Sequence, residues 1–396
     1  MSKKGRTPKI GLALAGGGPF GAIYETGALL ALRDSLEGLD LNGLDSYVGV
    51  SAGGFLAAAL ANGVSIDRIH ALFIQDRGGE GALGPNVFMR PALREYARRA
   101  RSLPPLALRA AWGYLTGRGV LESFAPLARA IPTGVFDNEA IHRYLASVFE
   151  RPGHTNDFRK LSRRLYLVAT DLDSGESVTF GRPGHDHVPI SRAVQASAAL
   201  PGLFPPVEID GHFYVDGALR KTLHASEALE DGAKLVLCVN PIVTYDAKRA
   251  SRGSARQRLV DGGLPVVLSQ TFRAVIQSRL TVGLSKYRTQ YRGADVVLFE
   301  PDSDDSEAFF TNLFGFAARE RVCLHAYERT RADLARRSGE LAPIFARHGL
   351  RLRDEALRDA LPPRITATHP TERLPEAASE LRETLEDLRR TLAVVA

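Results

Sequence analysis

Short apolar runs closed by glycine alternate with longer apolar-rich stretches in the first third of the chain. Residues 9–15 (KIGLALA) form a brief, nearly continuous apolar run, the mark of a buried strand. Gly16, Gly17, Gly18 and Gly21 follow, and residues 22–33 predict a helix. The sequence repeats itself at residues 46–50, a second short strand, then at 53–62, an Ala/Leu-rich helix closed by Gly63. Further strands are predicted at 165–171 (LYLVATD), 234–240 (KLVLCVN) and 295–300 (DVVLFE). Residues 176–180 read as a hairpin partner of the first of these. Residues 208–215 read as a hairpin around Asp210-Gly211, a favoured turn pair, and residues 191–199 as a small-residue helix stopped by Pro201. Strand, glycine turn and helix in repeated order predict an α/β fold: three layers, α/β/α, around a central mainly parallel sheet.

Residues 85–131 break that rhythm. They are rich in arginine and leucine, punctuated by Pro91, Pro104 and Pro105, and read as a helical insertion. The organisation expected is a core at 8–240 carrying that insertion, a continuation with a further strand and helices at 241–338, and a helical C-terminal extension at 339–396. Residues 245–263, rich in Arg, Ser and Gly, read as a linker. In the extension, Leu381, Leu385, Leu388 and Leu392 make one apolar helix stripe. It suits docking on the parent domain or a homodimer contact.

Composition adds bounds. The chain has 396 residues, 44% hydrophobic and 24% charged, an ordinary globular balance. A formal charge of +6 is compatible with anionic membranes, acidic substrates or a plain basic surface. No nucleic-acid-binding module signature accompanies it, so no nucleic acid partner is expected. Cys238 and Cys323 stand alone in apolar stretches, which argues against a disulfide framework and for a reducing, cytoplasmic setting. The N-terminal run ends in glycines and does not match a secretory signal. No stretch approaches the roughly 20 apolar residues of a spanning helix, so membrane contact is expected to be peripheral.

Three constellations carry chemistry. The first is Gly49-Val50-Ser51-Ala52-Gly53, G-x-S-x-G directly after a strand and before a helix. A sharp strand-to-helix turn lifts a serine hydroxyl clear of the backbone, and Gly49 and Gly53 leave room where a Cβ would clash. The second is Gly16-Gly17-Gly18-Pro19-Phe20-Gly21. Amides of a glycine turn at a helix start converge on an anion, in acyl transfer the tetrahedral oxyanion. The same stretch matches the dinucleotide fingerprint G-x-G-x-x-G, but the next strand ends in Ser51 rather than in an acidic ribose ligand. The third is Val215-Asp216-Gly217-Ala218 at the end of a predicted strand.

These blocks, with Ala196-Ser197 through Pro205-Pro206 and Gly211-x-x-Tyr214 before Asp216, resemble the patatin-like phospholipase family over about residues 8–222. The resemblance implies a lipid acyl hydrolase with Ser51 as nucleophile and Asp216 as the second member of a Ser–Asp dyad. It implies an oxyanion hole from the amides of Gly16, Gly17 and Gly18, with Gly21, Gly49, Gly53, Gly217 and Ala218 supporting the motifs. No cofactor, metal or catalytic histidine is implied, and the substrate is a phospholipid or related lipid ester. A free aspartate, with a pKa near 3.9, is a weak base for a hydroxyl, so either burial raises it or it acts mainly by orienting and stabilising the Ser51 hydroxyl. Two departures stand out: Phe20 occupies the region where many relatives carry Arg or Lys after the glycines, and Arg220–His224 replaces an Asn-x-Pro stretch.

Two alternatives stay open on sequence. One is a Ser–His–Asp carboxylesterase, for which His224, His325, His348 and His369 follow Asp216. The other is a nucleotide-binding or catalytically silent binding protein on the same scaffold. His185-Asp186-His187 lacks further metal ligands at useful spacing, and Asp302, Asp304 and Asp305 read as a solvated loop ahead of a helix. Arginines interleaved with Leu103, Leu108, Trp112, Tyr114 and Leu115 in the insertion suit the interface of an anionic membrane.

Overall fold

The computed structural model describes residues 9–75, 90–117, 119–246, 259–305 and 318–353, with residues 307, 309, 355 and 357. β1 (Ile10–Leu14) divides its side chains between two cores. Leu12 and Leu14 join Tyr47, Leu235 and Leu237, whereas Ala13 and the following Ala15 join Val48, Val236 and Cys238. That alternation is the strand period of two expressed as burial on both faces of one sheet. Two cores on opposite faces make the three layers expected.

The strands in chain order are β1, β2 (Leu36–Glu37), β3 (Ser46–Val50), β4 (Arg164–Asp171), β5 (Ser177–Phe180), β6 (Val207–Ile209), β7 (His212–Asp216), β8 (Leu235–Val239), β9 (Asp295–Phe299) and β10 (Arg351–Leu352). Eight of them form the main sheet in the order β6-β7-β4-β3-β1-β8-β9, with β5 paired to β4. Pairings among β4, β3, β1, β8 and β9 are parallel, and β5, β6 and β7 add antiparallel ones. The sheet is therefore mixed but mainly parallel. Asp210 and Gly211 both take positive φ, 53° and 80°, in the β6–β7 turn, as a tight two-residue hairpin between twisted strands requires.

α1 (Gly18–Ser35) follows β1, and α2 (Ala52–Ala61) follows β3. α1 begins four residues before the predicted start because Pro19 occupies the first turn, where its missing N–H costs nothing. α3 (Leu93–Leu115), α4 (Glu139–Phe149), α5 (Ile190–Ser197), α6 (Ala225–Glu230), α7 (Gly263–Gln290), α8 (Arg319–Arg336) and α9 (Ser338–Arg347) complete the main helices. Pro104 and Pro105 lie inside α3 rather than ending it. Part of the linker stretch, residues 247–258, and the leucine stripe at Leu381–Leu392 lie outside the described residues. Leu341 and Phe345 of α9 are fully buried in the larger core, and β10 pairs with β2.

α1 is buried on nearly every side, and its longest helix contact is with α8. Gly27 is where the two helices meet: a Cβ there would lie 2.2 Å from the Cys323 carbonyl oxygen and 3.0 Å from Ala326 Cβ. Alanine ordinarily stabilises a helix by about 1 kcal/mol over glycine. Here the contact reverses the sign, and Gly27→Ala is expected to lower unfolding free energy by about 1–3 kcal/mol through overpacking. A urea midpoint unchanged or raised in that variant would contradict the close α1–α8 approach.

One acidic residue departs from expectation. Asp305 is not solvated; it is buried and accepts a 2.6 Å hydrogen bond from His325 Nε2. Among the described residues no group of three His, Cys, Asp or Glu side chains is arranged to hold a metal, and His187 is bonded to Asp210 instead. Both cysteines are free and buried. No described helix is long and apolar enough to cross a membrane.

Candidate active site

The sheet order brings the three sequence blocks to one edge. β3 lies beside β1 on one side and β4 on the other, so Ser51 emerges next to the glycine loop that follows β1. On the far edge of β4, β7 runs antiparallel with Asp216 opposite Ala169. Val50, just before Ser51, is opposite Val168. Ser51 and Asp216 thus leave the sheet at nearly the same level, two strands apart, about 10 Å between backbones.

Gly217 closes that gap. A Cβ there would lie 2.2 Å from the Val168 carbonyl oxygen and 3.1 Å from a Val50 methyl. Only a glycine lets the chain turn over the end of β4 toward β3. The Asp216 carboxylate lies close enough to Ser51 for the serine hydroxyl to favour its ionised form. Its Oδ1 also accepts the Ala218 backbone N–H at 2.8 Å. Asp216 is 3% exposed, and burial raises its pKa from 3.8 to about 6 against the lowering effect of the Ala218 N–H and the Ser51 hydroxyl. Desolvation thus moves the carboxylate toward neutral pH, the direction that a role as a base calls for.

Ser51 is 7% exposed with φ of 53°, one of two described non-glycine residues in the left-handed region. Such backbone is costly and survives where the surroundings enforce it. Gly49 and Gly53 do so: a Cβ on the first would sit 2.4 Å from Gly54 Cα, and on the second 2.5 Å from the Ala15 carbonyl oxygen. The Gly53 N–H donates to that same oxygen at 3.2 Å.

The glycine loop packs against the serine. A Cβ on Gly16 would lie 3.1 Å from Ser51 Cβ and 3.2 Å from Ala218 Cβ. One on Gly17 would lie 2.8 Å from both Gly21 Cα and Pro241 Cγ, and Gly18 has φ of 60°. The Gly21 N–H donates to the Gly17 carbonyl at 2.9 Å. The amides of Gly16, Gly17 and Gly18 enter none of the loop and turn backbone hydrogen bonds of the described residues. Phe20 is buried in the core.

Ser197 is a site residue that the sequence presents only as context. Its Oγ accepts the Ser51 N–H at 2.8 Å and donates to the Val168 carbonyl at 2.6 Å, clamping the strained turn to β4. Ser197→Ala leaves both buried groups without that partner, at a cost of about 1–3 kcal/mol. It is expected to reduce kcat about tenfold or more with little change in KM, because it disturbs positioning and not binding. A KM change without a kcat change in steady-state assays would count against this clamp.

Ser51, Asp216 and the glycines open into a cavity of about 540 Å³. Its walls are nearly all apolar, among them Phe55, Phe73, Ile141, Val194 and Phe204. Leu268, Phe272 and Val275 of α7 both line it and are roughly half exposed, so α7 forms its mouth. No histidine lines it among the described residues. His224 is buried, its pKa pushed down to about 3 by desolvation. His325 is engaged with Asp305, and His348 with Asp295 at 2.7 Å; His369 lies outside the described residues. Among the described residues, then, no histidine stands as a third member at Ser51.

A family model for the patatin-like phospholipase matches residues 12–229. An uncharacterized NTE family protein of Mycobacterium tuberculosis strain H37Rv is 28% identical over 234 residues, 59% of this chain and 49% of that protein. An uncharacterized protein of Acanthamoeba polyphaga mimivirus is 24% identical over 208 residues, covering 52% of this chain and 57% of its own length. The chain spans about half the length of the curated relatives it matches. Among solved structures, VipD from Legionella pneumophila aligns with a TM-score of 0.39 and 17% identity, over 82% of this chain and 66% of that one.

Proposed function

This chain belongs to the patatin-like phospholipase family, and from that premise we propose that it is a lipid acyl hydrolase working through an acyl-Ser51 intermediate. The observation that carries the proposal is the pairing of Ser51, on its strained turn, with a buried Asp216 of pKa about 6, at an apolar cavity of about 540 Å³.

Ser51 Oγ attacks the ester carbonyl carbon while its proton passes to the Asp216 carboxylate. The carbonyl oxygen becomes an oxyanion, held by the amides of Gly16, Gly17 and Gly18 and by the positive end of α1. Collapse of the intermediate breaks the ester C–O bond, and Asp216 returns the proton to the departing alcohol oxygen. Water then attacks acyl-Ser51, giving its proton to Asp216. The second tetrahedral intermediate releases the fatty acid, and the proton returns to Ser51. A pKa near 6 suits both roles, because the group is ionised at neutral pH yet basic enough to take a proton in the transition state.

The apolar walls supply the energy for holding an acyl chain, at about 0.8 kcal/mol per buried methylene. Exposed Leu108, Trp112 and Leu115 of α3, with Leu264 and Phe272 of α7, support peripheral contact with a lipid surface. Covalent modification of Ser51 by a fluorophosphonate, one label per chain, with loss of lipid ester hydrolysis, is the expected test result. Hydrolysis surviving complete labelling would refute the acyl-enzyme reading.

A further inference from the structure

The cavity of Ser51 has a second polar feature that the ester chemistry does not use. Arg273, on α7, lines the cavity and is 3% exposed. Its Nη1 donates to the Val243 carbonyl at 3.1 Å, and its Nε to Ser269 Oγ at 3.4 Å. The guanidinium carbon lies 4.9 Å from the centre of the Phe309 ring. Nη2 is buried and has no hydrogen-bond partner among the described residues.

A buried guanidinium normally sits against a carboxylate, since an unpaired ion gives up its hydration without return. Desolvation is the sole influence on Arg273, and it lowers the pKa to about 10, so the group remains a cation at neutral pH. The neighbouring Arg279 differs: its Nη1 is occupied by the carbonyls of Leu219 and Arg220, at 2.6 and 3.1 Å. Among the described residues, Arg273 is therefore an uncompensated positive charge at the wall of the cavity, with one unpartnered guanidinium nitrogen, in a lining that is mostly apolar. Guanidinium geometry matches the oxygens of phosphate, and a charge-assisted bond there is about twice as strong as a neutral one.

A second observation points the same way. The helix start beside Ser51 carries Pro19 and buried Phe20, without a cationic side chain. Arg273 lies beyond the residues matched by the family model, 12–229.

We propose that Arg273 is a specificity-determining anion subsite of this cavity, which binds the phosphodiester of a glycerophospholipid whose acyl ester is presented to Ser51. The assignment rests on the acyl-hydrolase reading for its meaning in catalysis, but binding to Arg273 needs no hydrolysis. It makes the chain selective for phosphate-bearing lipids over neutral glycerides of the same acyl length.

Two ether lipids that cannot be hydrolysed separate the questions: a short-chain dialkyl phosphatidylglycerol and the matching dialkylglycerol, each below its micellar concentration. Calorimetric Kd values would be compared for wild type, Arg273→Gln and Arg273→Lys, each first shown to retain its melting transition. Arg273→Gln is expected to weaken the phospholipid analogue about tenfold or more and leave the dialkylglycerol unchanged, with Arg273→Lys intermediate. Equal weakening of both ligands would overturn the subsite in favour of a role in holding the Val243 loop. An unchanged Kd for the phospholipid analogue would overturn it outright. A short-chain fatty acid is titrated as a third ligand: if Arg273→Gln weakened only its carboxylate, the anion would be the product's and the phosphodiester assignment would fall. Ester substrates run in parallel read the other proposal: Arg273-dependent binding without hydrolysis by wild type would refute the hydrolase and leave the subsite standing.

Discussion

Ser51→Ala is expected to lower kcat for lipid ester hydrolysis by about 10⁴-fold or more while leaving the fold and the binding of a lipid analogue nearly intact. Removing a serine nucleophile from a preorganised hydrolase site costs on that order, with residual turnover supplied by the oxyanion donors and by binding. The variant should also lose all fluorophosphonate labelling. At φ of 53° alanine is strained as serine is, so backbone strain does not separate the two and the variant should keep a cooperative unfolding transition, with a loss of at most about 1–3 kcal/mol from the hydroxyl beside Asp216. Rates measured on a short-chain ester, with thermal denaturation alongside, check both halves. Hydrolysis retained at more than about a tenth of the wild-type rate, one decade being 1.36 kcal/mol of barrier, would place the nucleophile elsewhere.

Asp216→Asn should move activity and stability in opposite directions. Asparagine cannot take the Ser51 proton, and loss of a general base costs about 10²–10⁴ in rate. The wild-type rate should fall as pH drops through about 6, where the carboxyl protonates. That acid limb should be absent from whatever activity the variant keeps. For stability the sign is the reverse of the usual carboxylate. The folded pKa of about 6 lies above the ordinary 3.8. The group therefore contributes stability that is fully present below pH 3.8 and lost as pH rises through 6. A displacement of that size corresponds to about 3 kcal/mol at 1.36 kcal/mol per tenfold. An asparagine side chain in its place would carry no charge to bury and could still accept from the Ala218 N–H. The variant should be more stable than wild type at about pH 8 by up to about 3 kcal/mol, the gap closing toward about pH 4. Urea unfolding at the two pH values measures this. Equal gaps at both, or a less stable variant on the alkaline side, would contradict a desolvated, ionised Asp216.

The sequence is most informative where local chemistry has few alternatives. A buried parallel strand needs an apolar run, and β1, β3, β4, β8 and β9 appear within a residue or two of the runs that predict them. Gly49, Gly53 and Gly217 are legible because a Cβ at each would meet backbone within 2.6 Å, which makes glycine obligatory. The Asp210-Gly211 turn is legible for its positive φ angles. α3 is harder: Pro104 and Pro105 read as stops, yet the helix continues through them. Asp305 reads as solvated because its partner, His325, lies 20 residues away on α8. Ser197 offers only a small-residue context, since a hydroxyl's role as a clamp depends on which two strands it meets.

Arg273 shows the limit most clearly. Nothing in Thr271-Phe272-Arg273 distinguishes it from any amphipathic helix. Its importance comes from α7 lying across the mouth of a cavity whose glycine loop and serine turn stand more than 200 positions earlier in the chain. The strand–turn–helix units, the serine turn and the glycine loop can be read from the residues alone, because sterics and hydrogen bonding over a few residues dictate them. The packed chain adds that Asp216 is buried at the same cavity as Ser51, with its carboxyl pushed up to about 6, and that a buried arginine lines that cavity too. Those depend on sheet order and on exclusion of water, which are properties of the whole packed chain.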